Sequence, residues 1–144
     1  MNLIWGVILI ILTLLGWLGQ VVTLFSHPLA VRLGVAEPKS DVDPAFFADV
    51  RGEAAWDTLV LWTLPLAGLL LILDNAAWAY FGLVGGGMYL YFAGRGIAAR
   101  MAMQRREIRI GKPETLKTVY AALVLWGLTA AITIMMAVAE LPLP

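Results

Sequence analysis

The chain has 144 residues, of which 61% are hydrophobic and 14% are charged, and its formal net charge at pH 7 is zero. With a mean hydropathy of +0.85, this composition excludes an ordinary water-soluble domain and is typical of an integral membrane protein. The chain has no cysteine, which excludes disulfides, thiolate metal sites and cysteine nucleophiles. With His27 as its single histidine, a metal or haem site built from several histidines of one chain is not expected.

Four apolar stretches predict four membrane-spanning helices within one domain, residues 1–144. The predicted spans cover residues 3–25, 54–73, 76–99 and 118–139. Each has roughly the 20 residues that cross about 30 Å of hydrocarbon at 1.5 Å per residue. The sequence therefore predicts an all-α, up-down bundle of four transmembrane helices, in which short outer connections make consecutive helices neighbours.

One helical face of the first span carries small and polar residues: Thr13, Gly16, Gln20 and Thr23. Such a stripe is typical of a seam where membrane helices pack closely, and a ligand site lined by Gln20 is the alternative. His27 and Pro28 then end the span, because the residue before a proline is disfavoured in the helical region.

The first predicted loop, residues 26–53, contains a helix of its own. Asp43 and Pro44 have the residue types of an N-cap and a first helical turn. The segment that follows places its apolar residues on one side: Phe46, Phe47, Val50 and Ala54. This pattern indicates an amphipathic helix before the second span, which either lies at the inner interface or packs as a cytoplasmic cap on the bundle.

The second and third spans are predicted to form a tight hairpin, because only Asp74 and Asn75 separate them. Pro65 lies inside the second span and predicts a kink. One stripe of the third span consists of small residues: Ala79, Gly82, Gly86, Ala93 and Gly96. A second small-residue face, with Gly87, Gly94 and Ala98, indicates that this helix lies centrally or meets another subunit.

The positions of the ten Lys and Arg residues predict the orientation of the chain. All of them lie between the first two spans or around the connection of the last two, which makes residues 26–53 and 100–117 cytoplasmic loops. Both termini are then expected outside the cytoplasmic membrane. The second loop carries the basic residues expected at lipid headgroups: Arg100, Arg105, Arg106, Arg109 and Lys112. Nucleic acid is not an expected partner, because no recognition fold accompanies this charge.

The third span contains one charged residue, Arg95, about one helical turn inside its inner end. A charge in hydrocarbon is costly unless it is paired or reaches the interface. Counted from the outer turn, Asp57 lies within about 4 Å of the same depth, which predicts an Arg95–Asp57 pair. The predicted ligand-binding residues at this level are Gln20, Glu53, Asp57, Tyr91, Arg95 and Tyr120. A structural ion pair and an Arg95 that extends to the headgroups are the alternatives.

The residues identify no catalytic group, metal site or cofactor. The Gly85-Gly86-Gly87 run lies within a span and lacks the basic residue of a phosphate-binding loop. No acidic residue lies at mid-membrane, which argues against a proton-coupled pump. These observations favour a non-catalytic structural or accessory subunit in a homo-oligomer or larger membrane complex. The alternatives are a membrane-embedded transferase or lipophile-binding protein, and an oligomeric transporter or pore.

The architecture is similar to that of the membrane-associated enzymes of glutathione and eicosanoid metabolism. The similarity rests on four spans in 144 residues, outer termini, a long first inner loop and Pro65 in the second span. Arg51, Glu53 and Asp57 echo the second-helix signature of that family, although its Arg-Ala-His-type run is absent. The resemblance implies a trimer that binds glutathione between subunits near the inner side of the membrane.

Overall fold

A computed structural model of the protein describes residues 2–141. Over these residues the secondary structure is helical, with one isolated β-bridge and no strand. The helices are α1 (Asn2–Phe25), α2 (His27–Arg32), α3 (Pro44–Val60), α4 (Thr63–Ile72), α5 (Trp78–Arg105) and α6 (Pro113–Glu140). A short 3-10 turn covers Lys39–Asp41. The prediction of an all-α chain is confirmed over the described residues.

Three segments are long and apolar enough to cross a membrane by length and composition: Asn2–Phe25, Pro44–Ile72 and Pro113–Glu140. The remaining predicted span lies in α5, which is not among them. Glycines and the charges of Arg95 and Arg100 lower the hydropathy of this helix. The three apolar segments are therefore compatible with a small membrane protein, and the fourth span stays a prediction.

Helix ends follow the proline and glycine signals of the sequence. α1 ends at Phe25, and the short α2 begins at His27 with Pro28 in its first turn. α5 continues to Arg105, beyond the predicted end of its span. Before α6, Gly111 has a φ of 120°, in the left-handed region that favours glycine.

The long helices pack in the order of the chain. α1 packs on α3 and α4, α4 on α5, and α5 most extensively on α6, whereas α1 and α6 meet at few points. The largest part of the core is formed by Leu9, Leu61, Leu64, Ala67, Tyr89, Phe92, Leu123 and Ala130. The buried Tyr89 hydroxyl donates a hydrogen bond to the Thr13 carbonyl oxygen, which connects α5 to α1.

The predicted small-residue stripe of α5 is packed. Its members are all buried: Ala79, Gly82, Gly86, Ala93 and Gly96. A Cβ atom at Gly86 would lie 2.7 Å from Ile134 Cγ1 of α6, so the close approach requires glycine. On the second predicted face, no atom of the described chain would lie within 4 Å of a Cβ at Gly87 or Gly94.

The predicted kink in the second span is a break between α3 and α4, at Leu61 and Trp62. Pro65 lacks an N–H group, and its ring excludes the carbonyl four residues earlier, which is that of Leu61. That carbonyl instead accepts a 3.4 Å hydrogen bond from the Leu64 amide. α5 closely approaches the same turn, since a Cβ at Gly85 would lie 2.7 Å from the Leu64 backbone nitrogen.

The two predicted cytoplasmic loops fold against each other. Val42 and Ile110 form the β-bridge, and the Asp43 amide donates a 2.8 Å hydrogen bond to the Arg109 carbonyl oxygen. The Asp43 carboxylate accepts a hydrogen bond from the Arg109 amide and does not cap α3. Phe46 packs in the same cluster as Ile110, so the apolar side of α3 is covered by the second loop and forms a cap.

Candidate functional site

Arg95 of α5 meets the acidic side of α3. Its Nη2 donates a hydrogen bond to Asp49 Oδ1 over 2.5 Å, and its Nη1 lies 2.8 Å from Glu53 Oε1. The second contact is an ion pair without hydrogen-bond geometry. The Glu53 side chain is 5% exposed and that of Arg95 is 29% exposed. Two carboxylates therefore compensate the charge that the sequence places inside the third span.

Asp57, the predicted partner of Arg95, is not within ion-pair distance of it. The ion pairs of Arg95 within 4.0 Å are those with Asp49 and Glu53. The depth count that predicted the pair assumed straight helices from the outer turn. However, α3 and α4 are broken at Leu61, and α5 begins only at Trp78. Asp57 is 3% exposed, and its Oδ2 has no hydrogen-bond partner among the described residues.

Four of the predicted ligand-binding residues line one open cleft of about 170 Å³. Its lining residues are Gly52, Glu53, Trp56, Asp57, Tyr91 and Arg95. Trp56 and Tyr91 are 55% and 58% exposed and form its rim, whereas the charged groups lie at its floor. This arrangement, here called the acidic cleft, places the carboxyl groups of Glu53 and Asp57 beside two exposed aromatic rings.

Tyr120 and Gln20 do not line the acidic cleft. The Tyr120 hydroxyl donates a 2.8 Å hydrogen bond to Gln104 Oε1, next to the cluster formed by the two loops. Gln20 faces a separate cavity of about 250 Å³ between α1 and α6. The depth count groups these two residues with Arg95, but neither of them lines its cleft.

The cavity between α1 and α6, here called the inner groove, opens where these two helices pack least. Most of its lining is apolar or small: Leu15, Gly16, Gly19, Phe92, Val119, Ala122, Leu123 and Trp126. Arg100 and Thr115 lie toward the end of this groove that is nearest to the two loops. The groove thus has an apolar length and one cationic end.

Arg100 holds its charge in this groove without an acidic partner. Among the described residues, no carboxylate lies within 4.0 Å of its guanidinium. Its Nη1 donates a 3.0 Å hydrogen bond to the Gly96 carbonyl oxygen, and its guanidinium lies 5.6 Å from the Phe46 ring centroid. Burial lowers the pKa of Arg100, although the negative charge of Glu53 opposes the shift.

The other basic residues of the second loop are exposed: Arg105, Arg106, Arg109 and Lys112. Lys112 Nζ lies 3.5 Å from Asp41 Oδ2, a contact at the surface. Within residues 2–141, no group of three or more His, Asp or Glu side chains is arranged to hold a metal ion.

Two residues of this region were not predicted from the sequence. Asp49 pairs with Arg95, and Trp56 lines the acidic cleft. Asp49 precedes Glu53 by four residues, a spacing that places both carboxylates on one helix face. This spacing could have identified Asp49 and Glu53 as the partners of Arg95. Tryptophan is enriched at membrane–water interfaces. This preference does not show whether Trp56 lies at the rim of a cleft or contacts lipid.

No protein-family model, curated protein or solved structure matches this chain. Its function is therefore argued from the geometry of the acidic cleft and the inner groove.

Proposed function

We propose that the chain is a non-catalytic, four-span accessory protein of the cytoplasmic membrane that holds an anionic phospholipid in the inner groove. In this proposal α5 is the fourth span. Four of its glycines face neighbouring helices, as does Arg95, so this side of α5 does not need the hydropathy of a lipid-exposed helix; the glycines are Gly82, Gly85, Gly86 and Gly96.

The ends of the helices support the proposed orientation. Asn2 Nδ2 lies 3.4 Å from Asp74 Oδ1, so the start of α1 and the α4–α5 turn share one end of the molecule. The two loops that carry the Lys and Arg residues pack together at the other end, through Val42 and Ile110. The basic end is placed in the cytoplasm by the usual retention of Lys and Arg there.

The observation that carries the lipid proposal is the unpaired Arg100 at one end of an apolar groove. An uncompensated cation in low-dielectric surroundings is costly, and a phosphate supplies both the negative charge and strong hydrogen-bond acceptors. On α6 the groove extends from Thr115 to Trp126, about 16 Å at 1.5 Å per residue. That length is about half of the 30 Å hydrocarbon core, which suits an acyl chain of the inner leaflet.

A bound lipid would cover the side where α1 and α6 pack only at few points, which is a structural role. The open glycine face of α5, at Gly87 and Gly94, offers a surface where a second copy or a larger complex could approach. A transferase that binds an anionic cosubstrate at Arg95 is less well supported, because Asp49 and Glu53 already occupy its guanidinium. A glutathione carboxylate would have to displace one of them.

Native mass spectrometry tests the lipid proposal. The protein is released from nanodiscs that contain phosphatidylethanolamine and phosphatidylglycerol, and the lipid retained per chain is measured together with the oligomeric state. We expect selective retention of phosphatidylglycerol, reduced about fivefold or more by Arg100→Gln. Arg106→Gln, which removes an exposed charge of the same loop, is the matched control and should retain the lipid.

A second variant tests the apolar part of the groove. A Cβ at Gly19 would contact no atom within 4 Å, and Gly19 lines the groove. Gly19→Leu should therefore fill the groove, reduce lipid retention and leave the unfolding temperature unchanged. Equal retention by the wild type, Arg100→Gln and Gly19→Leu would contradict the proposal.

A further inference from the structure

The face of α3 that borders the acidic cleft carries more carboxyl groups than there are cations in contact with them. Asp49, Glu53 and Asp57 follow one another at intervals of four residues on one face of α3. Arg95 contacts the first two of them. Arg51 of the same helix is engaged elsewhere, since its Nη1 donates hydrogen bonds of 2.5 and 2.6 Å to the carbonyl oxygens of residues 23 and 24. Asp57 is left without a cation within 4.0 Å among the described residues.

The Asp57 carboxylate is both buried and unsatisfied. It is 3% exposed, and no donor within the described chain reaches its Oδ2. A buried polar group without a partner is unfavourable, and more so when it is charged. Because Asp57 lines the acidic cleft, a ligand that enters the cleft can supply the missing donor and positive charge.

The size and rim of the cleft indicate which kind of cation fits. Its volume of about 170 Å³ exceeds the roughly 30 Å³ of one water molecule, so it accommodates a small organic group. Trp56 and Tyr91 expose their rings at the rim, and aromatic faces attract ammonium groups within about 6 Å. Ca²⁺ prefers six to eight oxygen ligands, which two carboxylates and two aromatic rings do not provide.

We propose that the acidic cleft binds the ammonium group of an organic amine or quaternary ammonium compound, between the carboxylates of Asp57 and Glu53 and against the rings of Trp56 and Tyr91. The site is distinct from the inner groove, which is proposed to bind an anionic phospholipid. The negative floor selects a cation, and the aromatic rim selects an organic one.

The test uses the full chain labelled with 5-fluorotryptophan in detergent micelles and observed by ¹⁹F NMR. The Trp56 resonance is assigned from its loss in Trp56→Phe. Benzyltrimethylammonium is the probe, and neopentylbenzene, in which carbon replaces the charged nitrogen, is its neutral isostere. We expect a saturable shift of the Trp56 resonance with the ammonium probe, and binding of the neutral isostere weaker by about tenfold or more.

Two variants locate the charge that selects the ligand. Asp57→Asn keeps the side-chain shape and should weaken binding of the ammonium probe by about tenfold or more. Asp74→Asn, which removes an exposed carboxylate of the outer turn, should leave binding unchanged. Arg100→Gln should also leave it unchanged, so that failure of the lipid proposal and failure of this one are separate results.

Three outcomes would overturn the proposal: no shift of the Trp56 resonance at saturating probe, equal shifts with the neutral isostere, or unchanged binding in a folded Asp57→Asn variant. If Asp57→Asn does not fold, the proposal is still tested on the wild type, by comparing the binding of the charged probe with that of its neutral isostere.

Discussion

Gly85 determines how closely α5 approaches the break between α3 and α4. We predict that Gly85→Ala lowers the free energy of unfolding by about 1–3 kcal/mol, because the new Cβ would lie 2.7 Å from the Leu64 backbone nitrogen. Backbone atoms cannot turn away as a side chain can. Thermal unfolding in detergent, followed by circular dichroism, measures the change.

Gly87→Ala is the matched control, since nothing lies within 4 Å of a Cβ at that position. Alanine is the better helix former by about 1 kcal/mol, so this variant should be neutral or slightly more stable. Equal unfolding temperatures for the two variants would show that α5 does not depend on close contact at Gly85.

The ion pair of Arg95 and Glu53 is expected to behave as a unit. Removing one partner of a buried pair costs about 3–5 kcal/mol, more than replacing both by apolar residues. Arg95→Leu and Glu53→Leu should therefore each destabilise the protein, and the double variant should recover part of the loss. A double-mutant cycle in detergent gives the coupling energy.

A second cycle, Arg95→Leu with Asp57→Leu, is the control. Since Asp57 forms no ion pair with Arg95 within 4.0 Å, its coupling energy should be the smaller of the two. If the coupling energy of Arg95 with Asp57 were larger than that with Glu53, the pair that the depth count predicts would be correct.

His27 makes stability depend on pH. Its ring lies edge-on to Phe47 at 5.0 Å between centroids, and neither ring nitrogen has a partner in the described chain. Burial, followed by the positive charges of Arg51 and Lys39, lowers the pKa of His27 below 6.5. The unfolded chain then takes up the proton first, so stability is constant above that pH and falls as the pH falls below it.

We therefore expect the unfolding temperature to drop between about pH 7.5 and about pH 5.5, and to drop less in His27→Gln. Differential scanning fluorimetry at both pH values provides the measurement. The same drop in both proteins would assign the pH dependence to other groups.

At the scale of elements, the two loops form one unit at one end of the molecule. Since the chain has no cysteine, Val42→Cys and Ile110→Cys can be combined without background thiols. We predict that this pair forms an intramolecular disulfide under mild oxidation, because the two residues face each other in the β-bridge. Faster migration on a non-reducing gel detects the product. The control pair, Val42→Cys with Asp74→Cys, joins opposite ends and should not cross-link within one chain.

The elements themselves were largely predictable from the sequence, and the site was predictable in part. Apolar length located α1, and Pro44 located the start of α3. Counting residues along a helix gives depth, which is why Arg95 was expected to pair with Asp57, whereas it pairs with Asp49 and Glu53. The count does not give direction around the helix axis, so Gln20 and Tyr120 were grouped with a cleft that they do not line. Direction depends on how neighbouring helices pack, which is a property of several segments together.

For the whole molecule, the prediction concerns orientation. Single cysteines at Asn2 and Asn75 should react with a membrane-impermeant thiol reagent in intact cells. Cysteines at Lys39 and Arg106 should react only after permeabilisation, because the basic loops are expected in the cytoplasm. Labelling at Lys39 or Arg106 in intact cells would reverse the orientation, and unequal results within either pair would contradict four spans.

The packing of helices in chain order has a consequence for biosynthesis. When α3 and α4 are made, their main neighbour α1 is already present. α5 likewise packs on the earlier α4 before α6, its main neighbour, is made. Contacts between segments close in sequence form quickly, and chains fold from the N-terminal end during synthesis. Two contacts must wait for the last helix: the extensive one between α5 and α6, and the sparse one between α1 and α6. A translation product that stops before α6 therefore already contains the contacts that hold its first helices together.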